Sequence, residues 1–190
     1  MTVQAASAGA IPAAREQSLV ERARRMDPEA WDEIFCSHHE AIHRYITLRL
    51  NDASAAEDLA ADVFVEAVKS IGRYRYRGIA FRAWLYRIAH NLTADYRRRL
   101  ARRPSVPIPE SEPVECRTAD FALLLVDRDA VRGALEQLTD EQQQVVVLRF
   151  FEGLSVAEVA EATGRREGAV KALQHRALRR MKTLMEAGDA

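Results

Sequence analysis

The chain contains few of the residues that build disulfide frameworks, metal sites and β-sheets. It has 2 cysteines and 8 glycines among 190 residues, and it lacks stretches of alternating β-branched residues. Cys36 and Cys116 lie far apart, with no CxxC pair and no Cys/His ligand spacing, so neither a zinc site nor a disulfide framework is indicated. Free thiols fit a reducing cytoplasm, and we expect both to be buried and inert. Scarce glycine and missing strand patterns predict an all-α fold.

Long apolar runs and catalytic groupings are also missing. No apolar run reaches the roughly 18 residues of a membrane span, so we predict no membrane insertion. The start, MTVQAASAGAIPAA, lacks a basic region followed by a long apolar core, which predicts a disordered tail over residues 1–16 rather than a signal peptide. There is no nucleophile–base pair and no phosphate-binding glycine loop. We therefore expect no catalytic residues, no metal and no cofactor, in a protein that is not an enzyme.

Net charge is zero overall, but the charges are separated along the chain. Between Arg15 and Val68, twelve acidic residues outnumber six basic ones, a local charge of −6. Between Lys69 and Arg103, eleven basic residues face only Asp95, a local charge of +10. Aromatic residues are interspersed among these arginines. Such a segment is typical of nucleic-acid binding, and its aromatic residues suggest contact with unstacked bases as well as phosphates.

Four prolines within RPSVPIPESEPVEC divide the chain into two helical domains. Proline removes backbone donors and disfavours helix, so residues 104–126 are predicted to form a flexible proline-rich linker. The first domain is predicted over residues 17–103 and the second over residues 127–186.

Three long helices are predicted in the first domain. One runs from Pro28, after the N-cap Asp27, to about Leu50. Another opens with a capping box from Ser54 to Glu57 and runs to about Ile71. After a loop over residues 72–79, the third runs from about Ala80 to Arg102. Its apolar stripe is Phe81, Trp84, Leu85, Ile88, Leu92 and Tyr96, which leaves Tyr74, Tyr76, Tyr86, His90 and Asn91 outside it.

Helix signals in the second domain predict a helix-turn-helix. Thr139 and Gln142 form one capping box and Ser155 and Glu158 another, and Gly153 and Gly164 end the helices that follow. A last helix runs from about Arg166 to Met185. Two helices joined by a tight glycine turn, the second one basic, are typical of DNA-binding domains.

The last helix has two chemically different faces. Its apolar stripe, which must pack inward, is Val170, Leu173, Ala177, Met181 and Leu184. The opposite arc is Lys171, Ala172, His175, Arg176 and Arg179, suited to a major groove, with Arg165 and Arg166 near phosphates. A solvated face on a helical bundle is the alternative for the helix alone.

Two further groups allow more than one interpretation. Asp58, Asp62 and Glu66 form an acidic stripe at four-residue steps, which is either a solvated face or a docking surface for a basic partner protein. The Asn91 amide can pair with a base edge or make a local hydrogen bond within the bundle. The sequence alone does not decide between these.

Two long segments together resemble a known family. AEDLAADVFVEAV and FRAWLYRIAHNLTADYRRR resemble region 2 of sigma-70-type initiation factors, and LTDEQQQVVVLRFFEGLSVAEVAEATGRREGAVKALQHRALRRM resembles region 4. The short linker, without a region 3 domain or an acidic region 1 domain, is similar to the extracytoplasmic-function (ECF) group. EGAVKALQHRAL resembles the actinobacterial BldN-like subgroup.

The resemblance implies a role for each group of residues. Core RNA polymerase, through the β′ clamp helices, would be bound by Asp58, Leu59, Asp62, Phe64 and Glu66. The −10 element would be bound and melted by Arg75, Tyr76, Arg77, Trp84, Arg87, Asn91, Arg97 and Arg98. Within this set, Tyr76 and Asn91 would form the pocket that holds a flipped base. The −35 duplex would be bound by Arg165, Arg166, Lys171, Ala172, His175, Arg176 and Arg179. The resemblance also implies the β flap, promoter DNA and an anti-sigma factor as partners. The alternative is a helix-turn-helix regulator that acts without core polymerase.

Overall fold

The computed structural model describes residues 13–50, 52–76, 78–102 and 128–188. All regular structure within these residues is helical, which confirms the predicted all-α fold of two domains. The predicted linker, residues 104–126, lies outside the described residues, as do Arg77 and Cys116. No helix in the described segments has the length and apolar character to cross a membrane.

Within the described residues, four helices build the first domain. They are α1 (Ala13–Arg24), α2 (Pro28–Leu50), α3 (Ala53–Ser70) and α4 (Phe81–Arg102). As predicted, α2 begins after Asp27, whose Oδ1 accepts a hydrogen bond of 3.0 Å from the Glu29 amide. A 3-10 turn (Ile71–Arg73) ends α3, and non-helical backbone leads from it to α4.

Helix α1 begins inside the segment that the sequence assigned to a disordered tail. Residues 13–16 belong to α1 because Glu16 has a specific partner in the fold. Its buried carboxylate accepts a hydrogen bond of 3.0 Å from the Phe81 amide, at the first residue of α4. The Trp31 indole of α2 also donates a hydrogen bond of 3.1 Å to the Ala23 carbonyl of α1. Helix α1 is therefore part of the first domain and satisfies a free amide at the start of α4.

The N-cap of α3 differs from the predicted one. The cap is Asp52, whose Oδ1 accepts a hydrogen bond of 3.0 Å from the Ala55 amide, and Ser54 lies inside the helix. The predicted box of Ser54 and Glu57 is therefore wrong. Aspartate is as good a cap as serine, and Asp52 also accepts a bond of 3.3 Å from the Tyr96 hydroxyl of α4, so it holds two helices at once.

Two tyrosines that lie off the predicted stripe of α4 are buried. Tyr74 packs its ring 5.2 Å from Phe81 and 5.3 Å from Trp84. Tyr86 is 3% exposed and packs 5.3 Å from Tyr45 on one side. Periodicity missed Tyr86 because the second domain covers its other side. Cys36 is exposed, whereas the sequence predicted a buried thiol.

Four helices also form the second domain. They are α5 (Arg128–Glu136), α6 (Asp140–Val146), α7 (Val156–Thr163) and α8 (Glu167–Gly188). Both predicted capping boxes are present, and Gly164 ends α7 in the left-handed conformation, with φ +66°. A π-helical turn, Val147–Phe151, continues α6 and was not predicted. The inward stripe of α8 is buried at Val170, Leu173 and Ala177, whereas Met181 and Leu184, nearer the end of the helix, are half-buried.

The two domains pack against each other through charged side chains. Helix α7 lies on α4, and the π-helical turn lies on α2. Arg82 donates to both carboxylate oxygens of Glu158, at 2.6 and 3.0 Å. Glu152 accepts from Arg44 at 2.7 Å and from the Tyr86 hydroxyl at 2.9 Å. The sequence did not predict this interface.

We predict that Asp52→Ala lowers the free energy of unfolding by about 1 kcal/mol or more, because it removes the α3 cap and the contact with Tyr96. Ser54→Ala is the matched control and should change the free energy of unfolding by less than about 0.5 kcal/mol. Urea unfolding followed by circular dichroism measures both. Equal losses for the two variants would contradict the assignment of Asp52 as the cap.

Candidate nucleic-acid interface

The described residues that are predicted to bind −10 DNA lie on α4 and on the loop before it. Trp84, Arg87 and Asn91 follow each other at three- and four-residue steps, so they share a face. Arg87 and Asn91 are exposed, whereas the Trp84 ring packs 5.2 Å from Phe81 and is only partly accessible. This face offers a cation, an amide and the edge of an aromatic ring to a nucleic acid strand.

An open cavity of about 170 Å³ lies between this face and the loop. Arg75, Trp84 and Arg87 line it together, which brings three of the predicted residues into one place. Glu161, from α7 of the second domain, also lines it and lies 3.5 Å from Arg87. The carboxylate therefore occupies part of the space beside these arginines.

Tyr76 lies in a different cavity, of about 250 Å³. The other lining residues are Glu16, Gln17, Val20, Glu21 and Arg24 of α1, with Tyr74. Tyr76 is 42% exposed, so its ring is free to stack. Asn91 lines neither of these two cavities, so the predicted pair is not brought into one pocket. Sequence reasoning missed the α1 residues because it predicted no helix before Pro28.

Tyr74 lines both cavities. Its side chain is buried, and burial raises the pKa of its hydroxyl to about 12. The hydroxyl has no hydrogen-bond partner within the described residues.

The remaining predicted arginines of α4 already have acidic partners. Arg97 bonds to Asp140 of α6 and to the Arg49 carbonyl, and burial together with nearby Arg49 lowers its pKa. Arg98 pairs with Asp95 on the same helix. Arg97 is therefore held by the second domain, while Arg98 stays on the surface.

The predicted −35 residues form a continuous exposed surface on α8. Arg166, just before the helix, is exposed, as are Lys171, Ala172, His175, Arg176 and Arg179. Arg165 is half-buried and lies 2.5 Å from Glu141 of α6. Because Val170 and Leu173 are buried against α6 and α7, this basic face points away from the domain.

The acidic stripe of α3 is exposed and lies beside apolar side chains. Asp58, Asp62 and Glu66 are all exposed, and Leu59 is half-buried. Phe64 is 7% exposed and packs 4.9 Å from Phe35, which is itself 42% exposed. Val65 is 48% exposed on the same helix. The described residues include no group of three metal-ligating side chains, so these carboxylates are not gathered at one point.

His38 lies beside the interface between the domains. Its ring packs 6.3 Å from Phe81, and burial together with Arg82 lowers its pKa to about 4. The imidazole is therefore neutral at physiological pH.

Comparison with known proteins identifies the family. Residues 34–103 match the model of Sigma-70 region 2, and residues 128–181 match that of Sigma-70, region 4. The ECF RNA polymerase sigma factor SigM of Mycobacterium tuberculosis is 34% identical over 159 residues, which cover 84% of this chain and 79% of SigM. The chain therefore belongs to the sigma-70 family, in its ECF group, whose members direct RNA polymerase to promoters.

Within this group the chain is similar to BldN. The ECF RNA polymerase sigma factor BldN of Streptomyces coelicolor is 38% identical over 175 residues, which cover 90% of this chain and 66% of BldN. This supports the resemblance to the BldN-like subgroup.

Solved structures share the fold. CnrH, in complex with the cytosolic domain of CnrY, gives a TM-score of 0.69 at 24% identity, covering 90% of this chain and 97% of that one. RpoE of Bartonella quintana, in complex with the anti-sigma factor NepR, gives a TM-score of 0.64 at 21% identity. The match covers 82% of this chain and 96% of that one.

Proposed function

We propose that this sigma factor holds −35 duplex DNA with its second domain and captures the melted −10 strand with its first. The single observation that carries the proposal is the order of the two matched regions, each with an exposed basic surface at the expected place. The protein supplies no catalysis of its own and acts in the cytoplasm, where RNA polymerase works.

The −35 contact is assigned to α8. Its N-terminal half enters the major groove, so that Lys171, His175 and Arg176 reach base edges or phosphates. Ala172 is small enough to let the backbone approach, while Arg166 and Arg179 contact the flanking phosphates. Arg165 is held by Glu141 and orients the start of the helix.

The −10 contact is assigned to the loop and to the exposed face of α4. Extruding a base costs a few kcal/mol. Stacking on an aromatic ring recovers about 1–3 kcal/mol per base, which Tyr76 can supply. Asn91 offers both a donor and an acceptor to a base edge. Phosphates are bound by Arg75, Arg77, Arg87, Arg97 and Arg98, with Trp84 supporting the face from the core side.

Core polymerase binding is assigned to α3. The exposed carboxylates of Asp58, Asp62 and Glu66 pair with basic residues of the β′ clamp helices, and Leu59 and Phe64 add apolar contact. Phe35 and Val65 extend the apolar part of this surface. The second domain binds the β flap. An anti-sigma factor is a further partner, because RpoE of the same fold was solved in complex with one.

A helix-turn-helix regulator that works without polymerase is not favoured. Such a protein would use its first domain as a dimerisation module, whereas residues 34–103 match Sigma-70 region 2.

The two functions predict different behaviour of the purified full chain. We expect run-off transcripts from a cognate promoter when core polymerase is added, and weak binding to the same duplex without it. In vitro transcription measures the transcripts, and a gel-shift assay measures binding of the free protein to the duplex. Tight duplex binding by the free protein, with no transcripts from the reconstituted polymerase, would support the regulator instead.

Asn91→Ala tests the −10 assignment. We expect reduced open-complex formation, measured by permanganate footprinting, because a bond to a base edge worth about 1 kcal/mol is lost. Binding to core polymerase should be unchanged. Gln137→Ala removes an exposed amide of the second domain and is the control. An unchanged yield of open complexes with Asn91→Ala would show that Asn91 does not contact the −10 strand.

Arg176→Ala tests the −35 assignment. We expect the affinity of the polymerase complex for the −35 duplex to fall by about 1–3 kcal/mol, because a groove contact is lost. Lys182→Ala is the matched control. Lys182 lies eleven residues beyond Lys171 on the same face, about 16 Å further along the helix and outside the groove. An equal loss in both variants would indicate general charge attraction instead of a positioned contact.

A further inference from the structure

Two histidines of α2 lie one helical turn apart on the same face of the helix. Residues 39–43 read HEAIH and lie in the middle of α2. Side chains four positions apart on an α-helix are neighbours, with their Cβ atoms about 5–6 Å from each other. His39 and His43 accordingly stack their rings, with the centroids 6.3 Å apart and the planes 11° from parallel. Two imidazoles therefore share one small patch of the surface.

This spacing is one that proteins use to bind zinc. In an H-E-x-x-H sequence on a helix, both imidazoles hold the same metal ion. Zinc lies about 2.1 Å from each ligand nitrogen, so at a tetrahedral angle the two nitrogens are about 3.4 Å apart. A regular helix supplies this geometry, so rotation of the two side chains of His39 and His43 is sufficient to reach it. The expectation of no metal rested on cysteine-based spacings, which this motif does not use.

Both imidazoles are available as ligands. His39 and His43 are each half-buried, and neither ring makes a hydrogen bond or an ion pair with another described residue. Burial and the neighbouring His39 lower the pKa of His43, so its ring is neutral at physiological pH. The neutral imidazole is the form that binds a metal ion, and no proton has to be displaced from it first.

The surroundings of the pair favour a bound cation. Phe35 packs 4.5 Å from the His39 ring and Phe64 of α3 packs 5.9 Å from it, so the orientation of this ring is restrained. A ligand that is already oriented loses less conformational entropy when the metal binds. The Glu57 carboxylate of α3 lies near enough to His43 to act on its pKa, and its negative charge favours a dication at this place.

We propose that His39 and His43 form a binding site for a divalent transition-metal ion, of which zinc is the best match. Imidazole nitrogens suit zinc, copper and nickel, whereas magnesium and calcium require oxygen ligands. The described residues include no group of three metal-ligating side chains, so the two imidazoles are joined by water at the remaining positions. Catalytic zinc sites have three protein ligands. The pair is therefore a binding site and not the centre of a peptidase, although the motif is the same.

Zinc affinity is the first measurement, on the full-length chain prepared without an affinity tag and freed of metal with EDTA. Isothermal titration calorimetry with zinc chloride should show a single saturable site. His39→Gln and His43→Gln should each weaken binding by about tenfold or more, because the loss of a group that merely supports a zinc ligand already costs about that much. Glu40→Gln is the matched control and should leave the affinity unchanged, since Glu40 is exposed and adjacent positions do not share a helix face.

The ring signals of the histidines provide a second measurement that needs no variant. The chain contains five histidines, and long-range ¹H–¹⁵N correlation spectra report on each imidazole. Added zinc chloride should shift the ring nitrogens of His39 and His43 and leave those of His38, His90 and His175 in place. The other three rings therefore serve as controls within the same molecule.

The outcomes decide the site independently of the proposed function. Loss of affinity in both glutamine variants, with circular dichroism unchanged and shifts confined to two rings, would establish it whether or not the protein supports transcription. Wild-type protein that binds no zinc in a saturable manner would overturn it, as would variants that retain the full affinity. Equal shifts of all exposed histidine rings would show adventitious contact only, which also overturns the site.

Discussion

The packing of the two domains depends on how the Glu152 carboxylate is satisfied. Burial raises the pKa of this carboxylate, while the Arg44 guanidinium and the Tyr86 hydroxyl act in the opposite direction. Without them a charge would be buried unpaired, which costs several kcal/mol. The same three side chains join α2, α4 and the π-helical turn. Arg44, Tyr86 and Glu152 therefore set how the domains meet, and the surrounding pairs follow from that placement.

Helix α4 has to satisfy three demands with one sequence. One face carries Phe81, Leu85 and Ile88 into the core of its own domain. A second carries Arg82 and Tyr86 toward the other domain. The third carries Arg87 and Asn91 at the surface. The high density of arginine and aromatic residues, which first indicates nucleic acid, reflects all three demands, because a guanidinium suits a carboxylate as well as a phosphate.

Local signals in the sequence predicted most of the fold. Thr139 and Ser155 begin helices as predicted, and Gly164 ends one, because each is determined by groups within a few residues. The cap of α3 was misassigned because Asp52 and Ser54 are both good caps, and the contact with Tyr96 that favours Asp52 is distant in sequence. Periodicity left Tyr86 outside the apolar stripe because it considers one helix at a time. The exposed face of α8 followed from spacing, whereas the separation of Tyr76 from Asn91 depends on how α1 packs, which spacing does not encode.

The bond from the Phe81 amide to Glu16 means that the folding unit is larger than the family match. The match to region 2 starts at residue 34, within α2, and so leaves out all of α1. Yet α1 supplies the acceptor at the start of α4 and five of the residues around the cavity that contains Tyr76. A domain boundary drawn from the match would remove a wall of that cavity and leave a helix amide unpaired. In this chain, a helix outside the matched region therefore shapes the surface around Tyr76.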